Sequence, residues 1–437
     1  MKIGVISLGC AKNLVDTENL LGILKESGQE IVTSYDDAEA VIINTCGFIE
    51  SAKKEAIDTI LEMADYKQRN LRKLIVMGCL AQRYQKDLEQ EMPEVDRFIS
   101  LNEYDRLGSI LSEVLGVRIA NDYGKAPRVL SGKPWMAYLR IADGCDNRCS
   151  YCAIPLIRGP FRSFSEEELA AEATRLVQGG VRELNLIAQD TSRYGVDWDG
   201  RLHLSSLLRK LDAIPDVHWI RILYLYPDEI TQELIDTMKE CRHVLPYFDI
   251  PTQHGSDRIL KAMNRRGTRQ TILQDVEWIR GSFAHPVLRT TLIAGFPGES
   301  RADHEQTLDL MRRIHWDHLG AFTYSREEGT SSYLLEDDVP EEEKQRRREE
   351  IMALQEEIVT RDHQQLIGTV QEVLVEGNDP LSGMYIGRSS MYAPDGVDGC
   401  VRFRSGKTLA CGDFVPVRIT KLSGQNLIGT QEETSLS

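Results

Sequence analysis

Short runs of consecutive apolar, mostly β-branched residues alternate along this chain with longer stretches of helical character. Within residues 1–118 the runs are KIGVISL, AVIIN and KLIVM. Each has the length and composition of a buried parallel strand. Asp16 to Ser27 and Ser51 to Tyr66 read as helices between them. The pattern predicts an open parallel α/β domain over 1–118. A stretch with Gly124, Pro127, Gly132 and Pro134, from about Asn121 to Pro134, reads as a linker. The alternation then resumes with MAYLRIA, ELNLIAQ, WIRILYL, YFDIP, LRTTLIAGF and LGAFTYS. Helices such as Ser165 to Gly179 and Asp257 to Met263 separate these runs. Regular β-then-α order implies parallel strands joined by right-handed crossovers. Six such units predict a partial (β/α)6 barrel, open where the eight-stranded form closes; with its trailing helix this domain spans 131–362.

That helix lies in the charged run from Glu336 to Gln365. Pro340 suits its first turn, acids follow and bases come later. Ile351, Leu354 and Ile358 form a stripe, and a solvated connecting helix is expected. The tail, 364–433, changes period. TVQEVLVEG, MYIGRS, GCVRFRS, DFVPVRITKL and QNLIGTQ are short strands divided by Gly, Asn and Asp turns, the pattern of a small all-β barrel. The fold class is therefore α/β multidomain with a β-barrel appended.

Composition narrows the function classes. The chain has 437 residues, 41% of them hydrophobic, which is ample for several cores. Its 52 basic and 68 acidic residues leave a net charge of −16. Nonspecific nucleic-acid binding depends on Lys and Arg neutralising phosphate, so this balance argues against it and suits a basic partner better. No run of eighteen apolar residues is present, so no membrane association is expected. Met1 leads directly into a strand-like segment without a basic leader, and a cytoplasmic location is expected. Nine cysteines there are metal ligands or free thiols more readily than disulfides.

Three of them, Cys145, Cys149 and Cys152, form the run CDNRCSYC at the end of the first strand of the second α/β region. Three thiolates so spaced can hold three irons of a 4Fe–4S cube and leave the fourth open. An electron carrier normally closes its cluster with four cysteines. Zinc usually takes four ligands or three plus water, and no fourth Cys or His stands close by. Three buried thiols or a zinc knuckle are the alternatives. A second trio is dispersed. The first three apolar runs each end in a turn where cysteine adjoins glycine: Gly9-Cys10, Cys46-Gly47 and Gly78-Cys79. Ligand crevices of open α/β sheets lie at the carboxyl ends of the strands. Cys10, Cys46 and Cys79 are thus expected to converge on one rim as a second metal site, their glycines admitting a bulky ligand. The alternative is that a small residue simply follows each buried strand. Cys241, Cys400 and Cys411 have no such spacing and read as free thiols.

The CxxxCxxC spacing, with Tyr151 before the third cysteine, resembles the signature of radical S-adenosylmethionine enzymes. In that family the open iron chelates the amino and carboxylate groups of S-adenosylmethionine, and a 5′-deoxyadenosyl radical abstracts hydrogen from an unactivated carbon. The resemblance assigns Cys145, Cys149 and Cys152 as catalytic cluster ligands. Residues at strand ends are then candidates to hold the cofactor: Tyr151, Gln189 and Asp190, Gln253 with His254, and the turn Gly295, Phe296, Pro297, Gly298, Glu299. Arg158, just past the cysteine loop, is another.

The run GCDNRCSYCAIPLIRGP, preceded by Cys10, Cys46 and Cys79 and followed by a small β-barrel resembling the TRAM module, is similar to the methylthiotransferase family over essentially the whole chain. That resemblance implies two 4Fe–4S clusters, the second carrying or delivering sulfur, and two uses of S-adenosylmethionine, one for methyl and one for the radical. It also implies a reductant such as flavodoxin or ferredoxin and a sulfur source. GCAKNLVDTENLLG, RYGVDWDG and LYLYPDEI look like the branch that modifies the β-carbon of an aspartate in small-subunit ribosomal protein S-twelve, free or within the ribosome. The other branch modifies an adenosine in tRNA. In the tail, Arg388, Arg402, Arg404, Lys407, Arg418 and Lys421 are outnumbered by Glu372, Glu376, Asp379, Asp395, Asp398, Asp413, Glu432 and Glu433. A module gripping tRNA should carry a basic face, so protein recognition is the expectation.

Overall fold

The computed structural model describes residues 1–120 and 122–432, which leaves Asn121 of the expected linker and Glu433 of the tail outside the described residues. The chain divides into two compact units. One comprises 1–132, 143–162 and 327–333; the other comprises 133–142, 163–326 and the remainder from 334.

The first unit is built on five parallel strands: β1 (Lys2–Ser7), β2 (Glu30–Val32), β3 (Ala40–Thr45), β4 (Lys73–Gly78) and β5 (Arg97–Ile99). Their order is β2-β1-β3-β4-β5. Alternate side chains of β3 enter opposite cores. Ala40 and Ile42 pack with Leu20, Ile23 and Leu24 of α1 (Ala11–Glu26) on one face. Val41 and Ile43 pack on the other with Ala56 and Ile60 of α2 (Glu50–Asp65) and Leu80 and Leu88 of α3 (Cys79–Glu91). A further helix, α4 (Leu107–Leu115), joins the first face through Leu107 and Leu111. Helix α1 begins five residues before the expected Asp16, because Ala11, Lys12 and Leu14 are themselves good helix formers and Cys10 occupies the N-cap. The segment 143–162 contributes the short helix α5 (Ile154–Arg158) to this unit.

This strand order places β1 and β3 side by side with helices leaving to opposite faces. Open sheets of this order bind ligands at that switch point, in the crevice beyond the carboxyl ends of the strands. Cys10 follows β1, Cys46 follows β3 and Cys79 follows β4.

The second unit carries six parallel strands: β6 (Met136–Arg140), β7 (Glu183–Ile187), β8 (Trp219–Ile222), β9 (Tyr247–Asp249), β10 (Val287–Ala294) and β11 (His318–Thr323). They form two three-stranded pieces, β8-β7-β6 and β9-β10-β11. A parallel bridge from Ile220 to Val244, just ahead of β9, and a bond from Leu225 N–H to Asp249 O set the two pieces side by side in the expected open (β/α)6 order. Crossover helices include α6 (Glu166–Gln178), α7 (Leu204–Asp212), α8 (Gln232–Glu240), α9 (Arg269–Ser282) and α10 (Arg301–Ile314).

The charged run forms α11 (Glu341–Asp362), and it is less solvated than its composition suggests. Lys344, Arg347, Ile351, Gln355, Ile358 and Val359 are buried. Arg347 donates to Glu299 O, Arg348 to Ala321 O and Gln355 to Trp316 O. The helix therefore satisfies one carbonyl of the edge strand, at Ala321, and two in the connections flanking it, at Glu299 and Trp316, a role invisible in a hydrophobic stripe.

The tail is a closed five-stranded barrel, β12 (Val370–Asp379), β13 (Met384–Ser389), β14 (Val401–Arg404), β15 (Phe414–Ser423) and β16 (Asn426–Gln431), in the order β12-β13-β14-β16-β15. It is seated on the amino ends of the parallel strands. Phe414 packs edge-on to Trp219 at 4.8 Å, Tyr247 donates its hydroxyl to Asp398 at 2.5 Å, and His318 meets Met391 O at 2.8 Å. At the centre Arg388 is bonded to Glu183 at 2.5 Å and Glu376 at 2.9 Å. Arg221 lies 3.2 Å from Glu183, and Lys133 lies 2.7 Å from Glu376. Arg388 and Asp398 are thus internal, so both drop out of the charge comparison of the tail. One base and one acid leave together, so the balance is unchanged: among the described residues Arg402, Arg404, Lys407, Arg418 and Lys421 are still outnumbered by Glu372, Glu376, Asp379, Asp395, Asp413 and Glu432.

Breaking a buried ion pair from one side strands the other charge. Arg388→Met is expected to destabilise this unit by about 3 kcal/mol, read as a lower urea midpoint. An unchanged midpoint would show that Arg221 and Lys133 alone neutralise the two carboxylates.

Candidate active site

The three dispersed cysteines meet at one rim of the first unit. The thiols of Cys10 and Cys79 both reach Oδ1 of Asn13, at 3.9 and 3.5 Å. A β-carbon built on Gly9 (φ +93°) would lie 2.7 Å from the β-carbon of Cys46, and one on Gly47 would lie 2.8 Å from the backbone of Leu80. The glycines beside the cysteines therefore let the rim loops pack on one another. The expectation that they clear space for a ligand is replaced by this closer contact.

A buried amide network fixes the loops. Asn13 donates to Leu8 O at 3.1 Å and Thr45 O at 2.9 Å, tying the ends of β1 and β3. Asn44 donates to Asn13 O and to Thr17, and Thr45 donates to Met77 O at the end of β4. Sequence reasoning missed Asn13, Asn44 and Thr45 as site residues. Their signal was present, since two polar residues close the otherwise apolar run AVIINT. Buried polar groups of this kind are retained where geometry must be unique.

Cys46 and Cys79 are buried and Cys10 is exposed. Burial pushes the Cys46 thiol up and the Cys79 thiol up to about 12, while Arg158 pulls both the other way. A metal must displace those protons to bind. The donors are all sulfur, the set that suits iron–sulfur clusters. Among the described residues no three Cys, His, Asp or Glu side chains group tightly enough to hold one ion. A cube makes no such demand, because each thiolate takes a different iron.

The CDNRCSYC loop belongs to the same unit. Cys145 is buried, and Cys149 and Cys152 are half-buried, as is Tyr151. Cys145 N–H donates to Gly159 O, Cys152 N–H to Cys149 O, and Ser332 N–H to Ser150 O. Arg158 closes α5 with a side chain only 2% exposed. Its Nη1 donates to Asp143 Oδ2 at 3.0 Å, and its Nη2 to Asp16 Oδ2 at 2.8 Å and Asn13 Oδ1 at 3.0 Å. Nη2 also lies 3.7 Å from Cys79 Sγ. Arg158, read from the sequence as a cofactor contact, is bound instead to the rim that carries the other trio.

In the second unit the remaining candidates lie at carboxyl ends of strands, the end opposite the β-barrel. Gln189 and Asp190 follow β7; Asp190 is buried and accepts from Ser192 at 2.5 Å. Gln253 follows β9 with φ +70°, a left-handed backbone unusual for a side-chain-bearing residue. Its N–H donates to Thr291 O and its carbonyl accepts from Ile293, which hold it there. The turn Gly295 to Glu299 follows β10. Glu299 Oε2 accepts from the N–H groups of Gly295 and Phe296, and Oε1 lies 3.1 Å from Arg347. His254 and His304 stand 3.7 and 3.6 Å from that carboxylate, and these partners hold its pKa far below the usual carboxylate range despite burial. Phe296 and Pro297 are buried, Gly298 is half-buried, and the Phe296 ring packs edge-on to Tyr324 at 5.4 Å. Glu299 and His254 thus shape the turn from inside.

Comparison with known proteins follows this architecture. Residues 2–100 match the uncharacterized protein family UPF0004, 139–311 the radical SAM superfamily and 367–431 the TRAM domain. The radical S-adenosylmethionine methyltransferase TsrM from Kitasatospora setae shares the fold at TM-score 0.55 and 12% identity, over 73% of this chain and 72% of that one. The cobalamin-dependent S-adenosylmethionine radical enzyme OxsB aligns at 0.52, again at 12% identity, over 76% and 54%. Fold and cysteine loop define a radical S-adenosylmethionine enzyme with a TRAM barrel. Two relatives cover it end to end. The ribosomal protein uS12 methylthiotransferase RimO of Acetivibrio thermocellus is 45% identical over 98% of both chains. That of Pelotomaculum thermopropionicum is 46% identical over 98% of this chain and 99% of its own. The chain belongs to the RimO family of ribosomal protein uS12 methylthiotransferases.

Proposed function

We propose that this enzyme replaces a hydrogen on the β-carbon of an aspartate in small-subunit ribosomal protein uS12 with a methylthio group. The observation that carries this reading is end-to-end identity above 40% with enzymes named for that reaction. In this reading Cys145, Cys149 and Cys152 hold one 4Fe–4S cluster, and Cys10, Cys46 and Cys79 hold a second. When bound, reduced iron–sulfur clusters and S-adenosylmethionine supply a carbon-centred radical able to take an unactivated hydrogen, a methyl group and the sulfur.

The residues of the chain do the holding. Gly159 O and Ser332 N–H fix the backbone of the first cysteine loop. Asn13, Asn44 and Thr45 fix the second rim. Tyr151, Gln189, Asp190, Gln253 and the Gly295–Glu299 turn are proposed to seat S-adenosylmethionine. Glu299 keeps two N–H groups of that turn in place, so the turn is rigid before any ligand arrives. The β-barrel is proposed to recognise substrate away from the reacting carbon, since it sits at the amino ends of strands whose carboxyl ends carry the cofactor candidates. Its acids outnumber its bases among the described residues, which does not favour the basic face that tRNA would require. The proposed reading also calls for a flavodoxin- or ferredoxin-type reductant and a sulfur source. Among the described residues no helix is long and apolar enough to cross a membrane.

The test is mass spectrometry of small-subunit ribosomal proteins from cells with and without the gene. One aspartate-bearing uS12 peptide should lose the mass of SCH₃-for-H when the gene is absent. Unchanged uS12 peptides with loss of a methylthio-adenosine from tRNA would replace this reading with the nucleic-acid one.

A further inference from the structure

Arg158 stands between the two cysteine sets. It lies six residues beyond Cys152 in the loop of one, and its guanidinium touches the rim of the other. Three features separate it from an ordinary surface ion pair. The side chain is 2% exposed and so is its partner Asp16, at 1%. One nitrogen, Nη2, is directed at Asp16, at Asn13 and at Cys79 Sγ together. Asn13 Oδ1 in turn accepts from the thiols of Cys10 and Cys79. A fixed positive charge and an N–H donor therefore face the sulfur of one cysteine directly and a second through a shared acceptor.

We propose that Arg158 is a positioning residue that sets the reduction potential of the cluster held by Cys10, Cys46 and Cys79. The proposal rests on the reading that this trio holds a cluster. Cluster potentials depend on net charge, burial and hydrogen bonds to sulfur. A reduced cluster carries one more negative charge than an oxidised one. A buried guanidinium beside a ligating sulfur stabilises the reduced form and raises the potential. In a dry site this effect is strong because little solvent screens it. Asp16, bound to the same nitrogen, opposes it. Asp143, held by Nη1, anchors the charge to the loop that carries the other cluster.

The test begins from Cys145→Ala/Cys149→Ala/Cys152→Ala, a full-length chain in which only the dispersed trio can bind iron and sulfide. Reconstituted anaerobically, this parent is titrated with dithionite and followed by electron paramagnetic resonance. Adding Arg158→Met should lower the ratio of reduced to oxidised cluster about tenfold at the parent's midpoint, equivalent to about 59 mV for one electron. Arg158→Lys, which keeps the charge, should shift it less. Asp16→Asn should move the midpoint the opposite way, and it tests the same electrostatics if Arg158→Met proves too unstable to handle. Equal midpoints and spectra in the folded variants would overturn the proposal and leave Arg158 as a structural ion pair. A parent that binds no cluster would overturn the underlying reading of the trio, a distinct result.

Discussion

Alanine at Cys145, Cys149 and Cys152 will abolish cleavage of S-adenosylmethionine, so that 5′-deoxyadenosine falls to the background of buffer alone. The expectation follows from the donor count. Three thiols in one short loop leave an iron open for substrate, and removing even one leaves the cube short of protein ligands. No side chain nearby substitutes for them, because the neighbouring carboxylates are engaged. Asp143 is held by Arg158, and Asp146 accepts from Phe161 N–H. The loop should keep its course without sulfur. Its anchors are the Cys145 N–H to Gly159 O bond, the Ser332 to Ser150 bond and the Arg158 pairs, all independent of the thiols. Thermal melting should therefore move little while activity disappears. Liquid chromatography of the reaction mixture reads the product, and undiminished 5′-deoxyadenosine from the triple variant would remove this loop from the radical chemistry.

Much of this architecture was legible in residue order because strands and helices announce themselves by period. AVIIN and ELNLIAQ are too apolar and too short to be anything but buried strands, and both are. The Gly–Cys junctions showed where three distant cysteines would meet, because the carboxyl end of a parallel strand is a topological fact, independent of side-chain detail. What stayed hidden was contact between residues distant in sequence. Nothing near Arg158 in the chain announces that it pairs with Asp16 and touches Cys79. The same limit misjudged the run around Arg347 and Arg348. Its charges suggested solvent, yet Arg348 serves a carbonyl of the edge strand that α11 covers and Arg347 serves the carbonyl of Glu299 in the turn after β10. It also concealed that Arg388 and Asp398 of the tail are internal, although losing one charge of each sign leaves the acid excess of the tail unchanged. Periodicity reports which face of an element is buried. It does not report which charge is paired inside.

The second trio invites a prediction that spares every sulfur. In Gly9→Val the added β-carbon would fall 2.7 Å from that of Cys46, inside van der Waals contact, and φ +93° is a conformation that valine strongly disfavours. The loops after β1 and β3 must then part, and Cys10 and Cys46 part with them. The variant should lose one cluster's worth of iron and all methylthio product, with 5′-deoxyadenosine still forming. Cys79→Ala, which removes a buried thiol with little change of volume, should give the same three readings. The pairing of the two variants carries the argument. A cysteine serving only as a packing residue would tolerate alanine, and a glycine serving only the fold would show its effect in melting before it showed in iron. Loss of cluster and product in both, with the radical half-reaction intact and the melting point of Cys79→Ala near that of the parent, would assign sulfur delivery to this rim. Retention of full iron content by Cys79→Ala would exclude it.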